Sequence, residues 1–163
     1  MEAVISSFNS LPRKETVPSG IAPNHWHFSM RHVPLDPPGD VVFILNPTVR
    51  FCHVEGPLKV AGPGTAQDEE NRAIAKAFFL VKAFANGLGG IPGVKEPKKE
   101  VGRPWSWCTD TKEEAERIQR ALKVLGVQGE SLTVDVAPAE ENKIADQEWE
   151  KFFTQLKGSV EGK

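Results

Sequence analysis

Residues 105–136 read WSWCTDTKEEAERIQRALKVLGVQGESLTVDV, and this stretch decides the fold class. Trp105 to Cys108 is short, aromatic and apolar, which suits a strand. Thr109, Asp110 and Thr111 follow, residue types that cap helices, and Thr111 with Glu114 fits a capping box. Ala115, Ile118, Leu122 and Leu125 recur at helical spacing, and Gly126 closes the segment. Leu132, Val134 and Val136 then alternate with Thr133 and Asp135, the period of a half-buried strand. Strand, helix and strand in that order predict a right-handed crossover joining two parallel strands, and so an α/β domain.

Downstream, Pro138 suits the first turn of a further helix, which carries Ala145, Trp149, Phe152 and Leu156 on one face with Phe153 beside them. Asp146 offers a restart after a kink, which would divide this helix in two. Upstream, Trp26, Phe28 and Met30 alternate with His25, His27, Ser29 and Arg31, a strand with one apolar face. Asp40 to Leu45 is a continuous apolar run after Asp40, as expected of a strand covered on both sides. A turn at Asn46-Pro47-Thr48 leads into a strand from Val49 to Val54, with Val49, Phe51 and His53 sharing a face. Glu55-Gly56-Pro57 reads as a turn and Leu58 to Ala61 as a short return strand. A helix begins near Thr65 to Asp68, with Ile74, Phe78, Val81 and Ala85 as its buried stripe, and stops at Asn86-Gly87.

The expected organisation is an irregular N-terminal arm over 1–24, one mixed α/β domain over 25–157 and a flexible tail over 158–163. The domain should hold a mixed sheet of about four to six strands and three main helices. Residues 87–104, rich in Gly, Pro and Lys, read as one long loop, a feature that in a compact domain is either functional or disordered.

Composition narrows the function classes. The chain has 163 residues, 20 Lys+Arg against 22 Asp+Glu, two Cys, four His and no Tyr. That balance lacks the basic excess of a general nucleic-acid binder. No stretch reaches the ~20 apolar residues of a membrane span, and Met1 to Ser10 has no signal-peptide pattern. Two distant cysteines, Cys52 and Cys108, make no disulfide framework, and together these features point to an intracellular protein, cytoplasmic or nuclear.

Several groups invite chemistry. His25 and His27 share a strand face about 7 Å apart, close enough to ligate one metal if a neighbouring strand adds His53 or Cys52. No Cys-x-x-Cys or His-x-x-x-His element accompanies them, so the sequence alone assigns no metal and no cofactor. Cys108 stands at a helix N-terminus, a setting that favours the thiolate. With His25, His27, His32 or His53 as base, it is a candidate nucleophile. Thr109, Asp110 and Thr111 are accounted for by capping. The glycines of 87–93 fail the dinucleotide fingerprint and follow a helix rather than a strand. The cations Lys95, Lys98, Lys99 and Arg103 beside Trp105 form the best binding candidate, since cations with aromatic platforms receive single strands or acidic peptides. Glu96 and Glu100 dilute that charge. The pairs Glu113-Glu114 and Glu140-Glu141 fall at helix starts, where the helix dipole explains them.

The order of these features resembles a known arrangement. Val41 to Leu45 with Asn46-Pro47-Thr48, the long helix, the Gly/Pro loop, Arg103-Pro104-Trp105, Cys108-Thr109-Asp110, Leu125-Gly126-Val127 and a closing Trp149-x-x-Phe152 helix run through residues 40–156. This order is similar to that of uncharacterised domains accompanying MYND-type zinc fingers in fungal proteins. The resemblance implies an accessory or interaction role and carries no catalytic residue with it. The cysteine-rich finger itself is lacking, so its zinc is not carried over. The expectation is a non-catalytic protein-interaction or regulatory module whose partner is another protein. The alternatives are a small enzyme using Cys108, or a metal or nucleic-acid binder through His25 and His27 or the Lys95–Arg103 loop.

Overall fold

A computed structural model describes residues 2–16, 22–33, 39–58, 66–86 and 102–161. The elements in chain order are α1 (Glu2–Ser10), β1 (His25–Val33), β2 (Gly39–Asn46), β3 (Phe51–Leu58), α2 (Ala66–Ala85), β4 (Ser106–Thr109), α3 (Lys112–Leu125), β5 (Asp135–Val136) and α4 (Ala139–Glu161), with a 3-10 turn at Gly129–Leu132. The strands form one five-stranded mixed sheet in the order β3-β2-β1-β4-β5. β1 and β2 are antiparallel, as are β2 and β3, whereas β4 runs parallel to both β1 and β5. The β4–α3–β5 unit joins two adjacent parallel strands through a helix, the strand–helix–strand order expected from residues 105–136.

The helix between those strands is delimited as its sequence dictates. The Thr111 side chain accepts from the Glu114 backbone N–H at 3.2 Å, satisfying a first-turn donor. Gly126 ends the helix at φ 98°, the left-handed conformation that glycine adopts without strain.

The sheet's two faces have different covers. Trp26 and Phe28 of β1, Val42 and Ile44 of β2 and Trp107 of β4 pack with α1, α2 and α3 around the main core. Phe43 and Leu45 of β2 face the other way, onto Ala145, Trp149 and Phe152 of α4. The expectation that this strand is covered on both sides is met, since Val42 through Leu45 are all buried.

Several boundaries differ from expectation, each for a physical reason. Residues 2–10 of the supposed arm are helical, and α1 buries Ile5 and Phe8 in the core, with Phe8 stacked on Trp107 at 6.1 Å. The turn after β2 runs on to Arg50, which takes a positive φ of 56°, so β3 begins at Phe51 rather than Val49. Glu55-Gly56-Pro57 does not end that strand. Gly56 at φ 134° accommodates a register irregularity opposite Asp40 to Val42, and pairing continues to Leu58. Of the return strand expected at Leu58 to Ala61, Leu58 instead closes β3, and residues 59–61 lie outside the described residues. The deepest face of α2 is Ala73, Ala77, Leu80, Val81 and Phe84, turned from the expected stripe, with Ile74, Phe78 and Ala85 flanking it. α4 is one continuous helix, without a break at Asp146. The strand expected around Leu132 shortens to Asp135–Val136, because Gly129–Leu132 coils into the 3-10 turn.

One buried polar residue ties the early chain to β1 and β4. Asn24 Nδ2 donates to the carbonyls of Lys14 and Arg103, and its Oδ1 accepts from Trp26 Nε1 at 2.6 Å. Its backbone carbonyl also accepts from the Trp105 N–H at 2.9 Å.

Candidate metal centre

The site grows from the pleat of β1. With Trp26 and Phe28 committed to the core, alternation sends His25 and His27 to the α4 face. The parallel register sets His25 opposite Ser106 and His27 opposite Cys108, with Trp107 between them on the core side. Ser106 and Cys108 therefore share the histidines' face. The backbone N–H of Ala137 donates to the Thr109 carbonyl at 2.8 Å, which fixes where α4 begins. Its first turn then lies over β4 and β1, and Glu141 faces the sheet.

Three side chains converge there. The Cys108 thiol donates to Glu141 Oε2 at 3.1 Å and lies 3.6 Å from His25 Nε2. His25 Nε2 is 3.1 Å from both carboxylate oxygens of Glu141. The opposite ring nitrogen, Nδ1, shares a 2.6 Å hydrogen bond with Ser106 Oγ, which orients the imidazole. Among the described residues, His25, Cys108 and Glu141 form a group whose potential ligand atoms all lie within 4.8 Å of one another. Cys108 is buried, while the side chains of His25 and Glu141 are 28% and 21% exposed, so the group opens to solvent on one side.

The electrostatics follow from this packing. Burial, the hydrogen bond to Glu141 and that residue's negative charge all push the Cys108 thiol well above its ordinary value. Burial of Glu141 opposes its ionisation, but hydrogen bonds from Cys108 and His25 outweigh burial and hold its carboxyl below the ordinary value. The site thus holds a carboxylate next to a protonated thiol.

The neighbouring His27 is fully buried, and its Nε2 donates to Asn142 Oδ1 at 2.7 Å. Its Nδ1 is buried with no hydrogen-bond partner among the described residues. Burial lowers the His27 pKa, against the opposing effects of Asn142, Asp110 and Glu141.

The other sequence candidates fall elsewhere. His53 pairs with Ile44, which pairs with Phe28, so it stands on the core side of the sheet, the face opposite to His25. It contacts Glu55 at 2.7 Å. Cys52 shares the α4 face but sits on β3, two strands from β1, or about 10 Å away. Burial pushes its thiol up to about 12. Neither completes a site with the histidines. His32 is at the far end of β1, paired with Asp40 at 2.8 Å. Lys95, Lys98 and Lys99 lie outside the described residues. Arg103 donates through Nε to the Leu11 carbonyl at 3.0 Å, and the half-exposed Trp105 carries the Arg13 guanidinium 4.1 Å above its ring. Glu141 is the residue that sequence reasoning missed. Its place at a helix start had a sufficient local explanation, and nothing in the sequence revealed how α4 crosses the sheet.

Comparisons with protein-family models, with curated proteins and with solved structures gave no match to this chain.

Proposed function

We propose that this chain is a metal-binding accessory domain that holds a zinc-like divalent ion through His25 Nε2, Cys108 Sγ and Glu141. The observation that supports this most is the convergence of three different ligand types from β1, β4 and α4 within 4.8 Å. Thiolate, imidazole and carboxylate together suit zinc. With metal–ligand bonds near 2.0–2.3 Å, a tetrahedral site separates sulfur from nitrogen by about 3.6 Å and nitrogen from oxygen by about 3.3 Å. The separations here are 3.6 Å for sulfur to nitrogen, 3.1 Å for nitrogen to oxygen and 3.1 Å for sulfur to oxygen, the last about 0.5 Å under its tetrahedral value, so an ion enters with shifts of up to about half an ångström. Ser106 on Nδ1 is the kind of partner that orients a metal-ligating histidine. The ion also resolves the electrostatics, because a coordinating thiol is deprotonated by the metal and its proton leaves to solvent. One tetrahedral position remains for water or for a group from a partner. The resemblance of residues 40–156 to domains that accompany zinc fingers supports the accessory role, with another protein as the partner.

A second reading, nucleophilic catalysis by Cys108 with His25 as base, rests on the 3.6 Å contact. It ranks lower because the carboxylate is on the wrong side of the ring. In a catalytic triad the acidic group orients the base from its far nitrogen. Here Ser106 occupies Nδ1, while Glu141 faces Nε2 and stabilises the thiol.

Cobalt(II) titration of the full chain separates the two readings. The metal reading predicts saturation at one ion per chain, with a thiolate-to-cobalt absorption band that is lost in Cys108→Ser. A titration without that band, identical in the two proteins, rules it out.

A further inference from the structure

The proposed centre needs α4 in one rotational setting, because Glu141 reaches the sheet from a different element than its two companions. The next residue, Asn142, supplies a second link. Its Oδ1 accepts from His27 Nε2 at 2.7 Å, on the strand that carries His25, and its Nδ2 donates to the Asp110 carbonyl at 3.5 Å, just beyond β4. One amide thus connects the first turn of α4 to β1 and to the residue that follows β4. His27 is fully buried and directly opposite Cys108 in the β1–β4 register. Its ring cannot swing into solvent, so the point at which it holds Asn142 is fixed by the sheet. A further polar tie in this half of the helix, Arg31 to Asp146 at 2.8 Å, is one turn further on and leaves the Asp146 side chain 69% exposed. An exposed pair of that kind constrains a helix weakly.

We infer that Asn142, held by His27, is a positioning residue for the metal centre: it sets the first turn of α4 so that the Glu141 carboxylate meets His25 and Cys108. This inference rests on the metal reading above. Neither Asn142 nor His27 is assigned as a ligand. Residues that orient metal ligands change affinity by roughly 10–100-fold when removed.

The test is a double-mutant cycle on zinc affinity, measured by competition with a chromophoric chelator on the full chain. Asn142→Ala should weaken binding by about 10–100-fold. Glu141→Gln should weaken it as well. Because Asn142 acts through Glu141, the double variant should bind no more weakly than Glu141→Gln alone. His27→Leu should reproduce the loss, and His27→Gln, which keeps a donor for Asn142, should recover most of it. These histidine variants also carry the test if Asn142→Ala fails to fold. Losses that simply add in the double variant mean general destabilisation and overturn the inference, as does wild-type affinity in Asn142→Ala. Absence of zinc binding by the wild-type chain overturns the underlying reading instead, and this inference with it.

Discussion

At the scale of single residues, Cys108 is where two chemistries compete. A helix N-terminus, read from sequence, argues for an available thiolate. The folded site argues the reverse, since burial and the adjacent Glu141 carboxylate hold the proton on sulfur. The metal-free protein should therefore react with iodoacetamide at pH 7 at least tenfold more slowly than the same chain unfolded in denaturant. Equal or faster reaction of the folded chain would restore the nucleophile reading. His27 gives a pH signature of its own. Its pKa is lowered in the fold from an ordinary 6.5. Below pH 6.5 the unfolded chain therefore takes up a proton that the folded chain resists, and stability falls as the pH falls. Glu141, with a lowered carboxyl pKa, adds a further loss only below its ordinary 4.5. Denaturant unfolding of metal-free protein between pH 7 and 5 should show the decline, and His27→Gln should flatten it. The cysteine and His25 were legible as candidates because their residue types and strand placement carry the signal. Their meeting was not, because it depends on which strands become neighbours. β4 pairs with β1 at a sequence separation of about eighty residues, a long-range pairing without a local signature.

Among the elements, those with local chemistry were legible and those with borrowed stability were not. α3 carries its own cap, stripe and glycine stop, and it forms between the residues that the sequence marks. Thr111→Ala should cost about 1 kcal/mol in denaturant unfolding. α1 shows the opposite case. Its nine residues are too few to be helical alone, so it depends on burying Ile5 and Phe8. Phe8→Ala should cost about 3–5 kcal/mol, the figure for an aromatic in a packed core rather than in an irregular arm. The segment after α1 packs at Pro12 against Gly102 and Arg103, ahead of β4, and that contact has its own requirement. Gly102 takes φ 74°, and a Cβ there would lie 2.3 Å from the Pro12 carbonyl oxygen, whose acceptor role toward the Arg103 N–H fixes it in place. Gly102→Ala should destabilise by about 1–3 kcal/mol, whereas Gly129→Ala, at the same φ but in open space, should cost the smaller part of that range. Equal costs at the two positions would mean that this segment is not packed as described. The bulge at Gly56 was read as a turn because a glycine beside a proline signals either, and only the paired strand decides between them.

At the scale of the whole molecule, α4 unites the two halves of the account. Its first turns carry Glu141, Asn142 and Asp146 over the polar end of the sheet, and its later turns set Trp149 and Phe152 against Phe43. The mixed α/β class followed from hydrophobic period together with the caps and stops that delimit each element. The crossing direction of this helix did not, because one apolar stripe fits a sheet face in more than one orientation. No helix among the described residues is long and apolar enough to cross a membrane. An ion bound as proposed would add a further clamp across β1, β4 and α4, beside the hydrogen bonds of Glu141 and Asn142 that already join them. Zinc should therefore raise the thermal midpoint, by the equivalent of about 2.7 kcal/mol when free zinc is a hundredfold above Kd. The most direct measurement is elemental analysis of the full chain after dialysis against a small excess of zinc and gel filtration. One zinc should be retained per wild-type chain and none in the folded His25→Ala/Cys108→Ser/Glu141→Gln variant. Equal zinc in the two proteins, at any level, would contradict the metal reading.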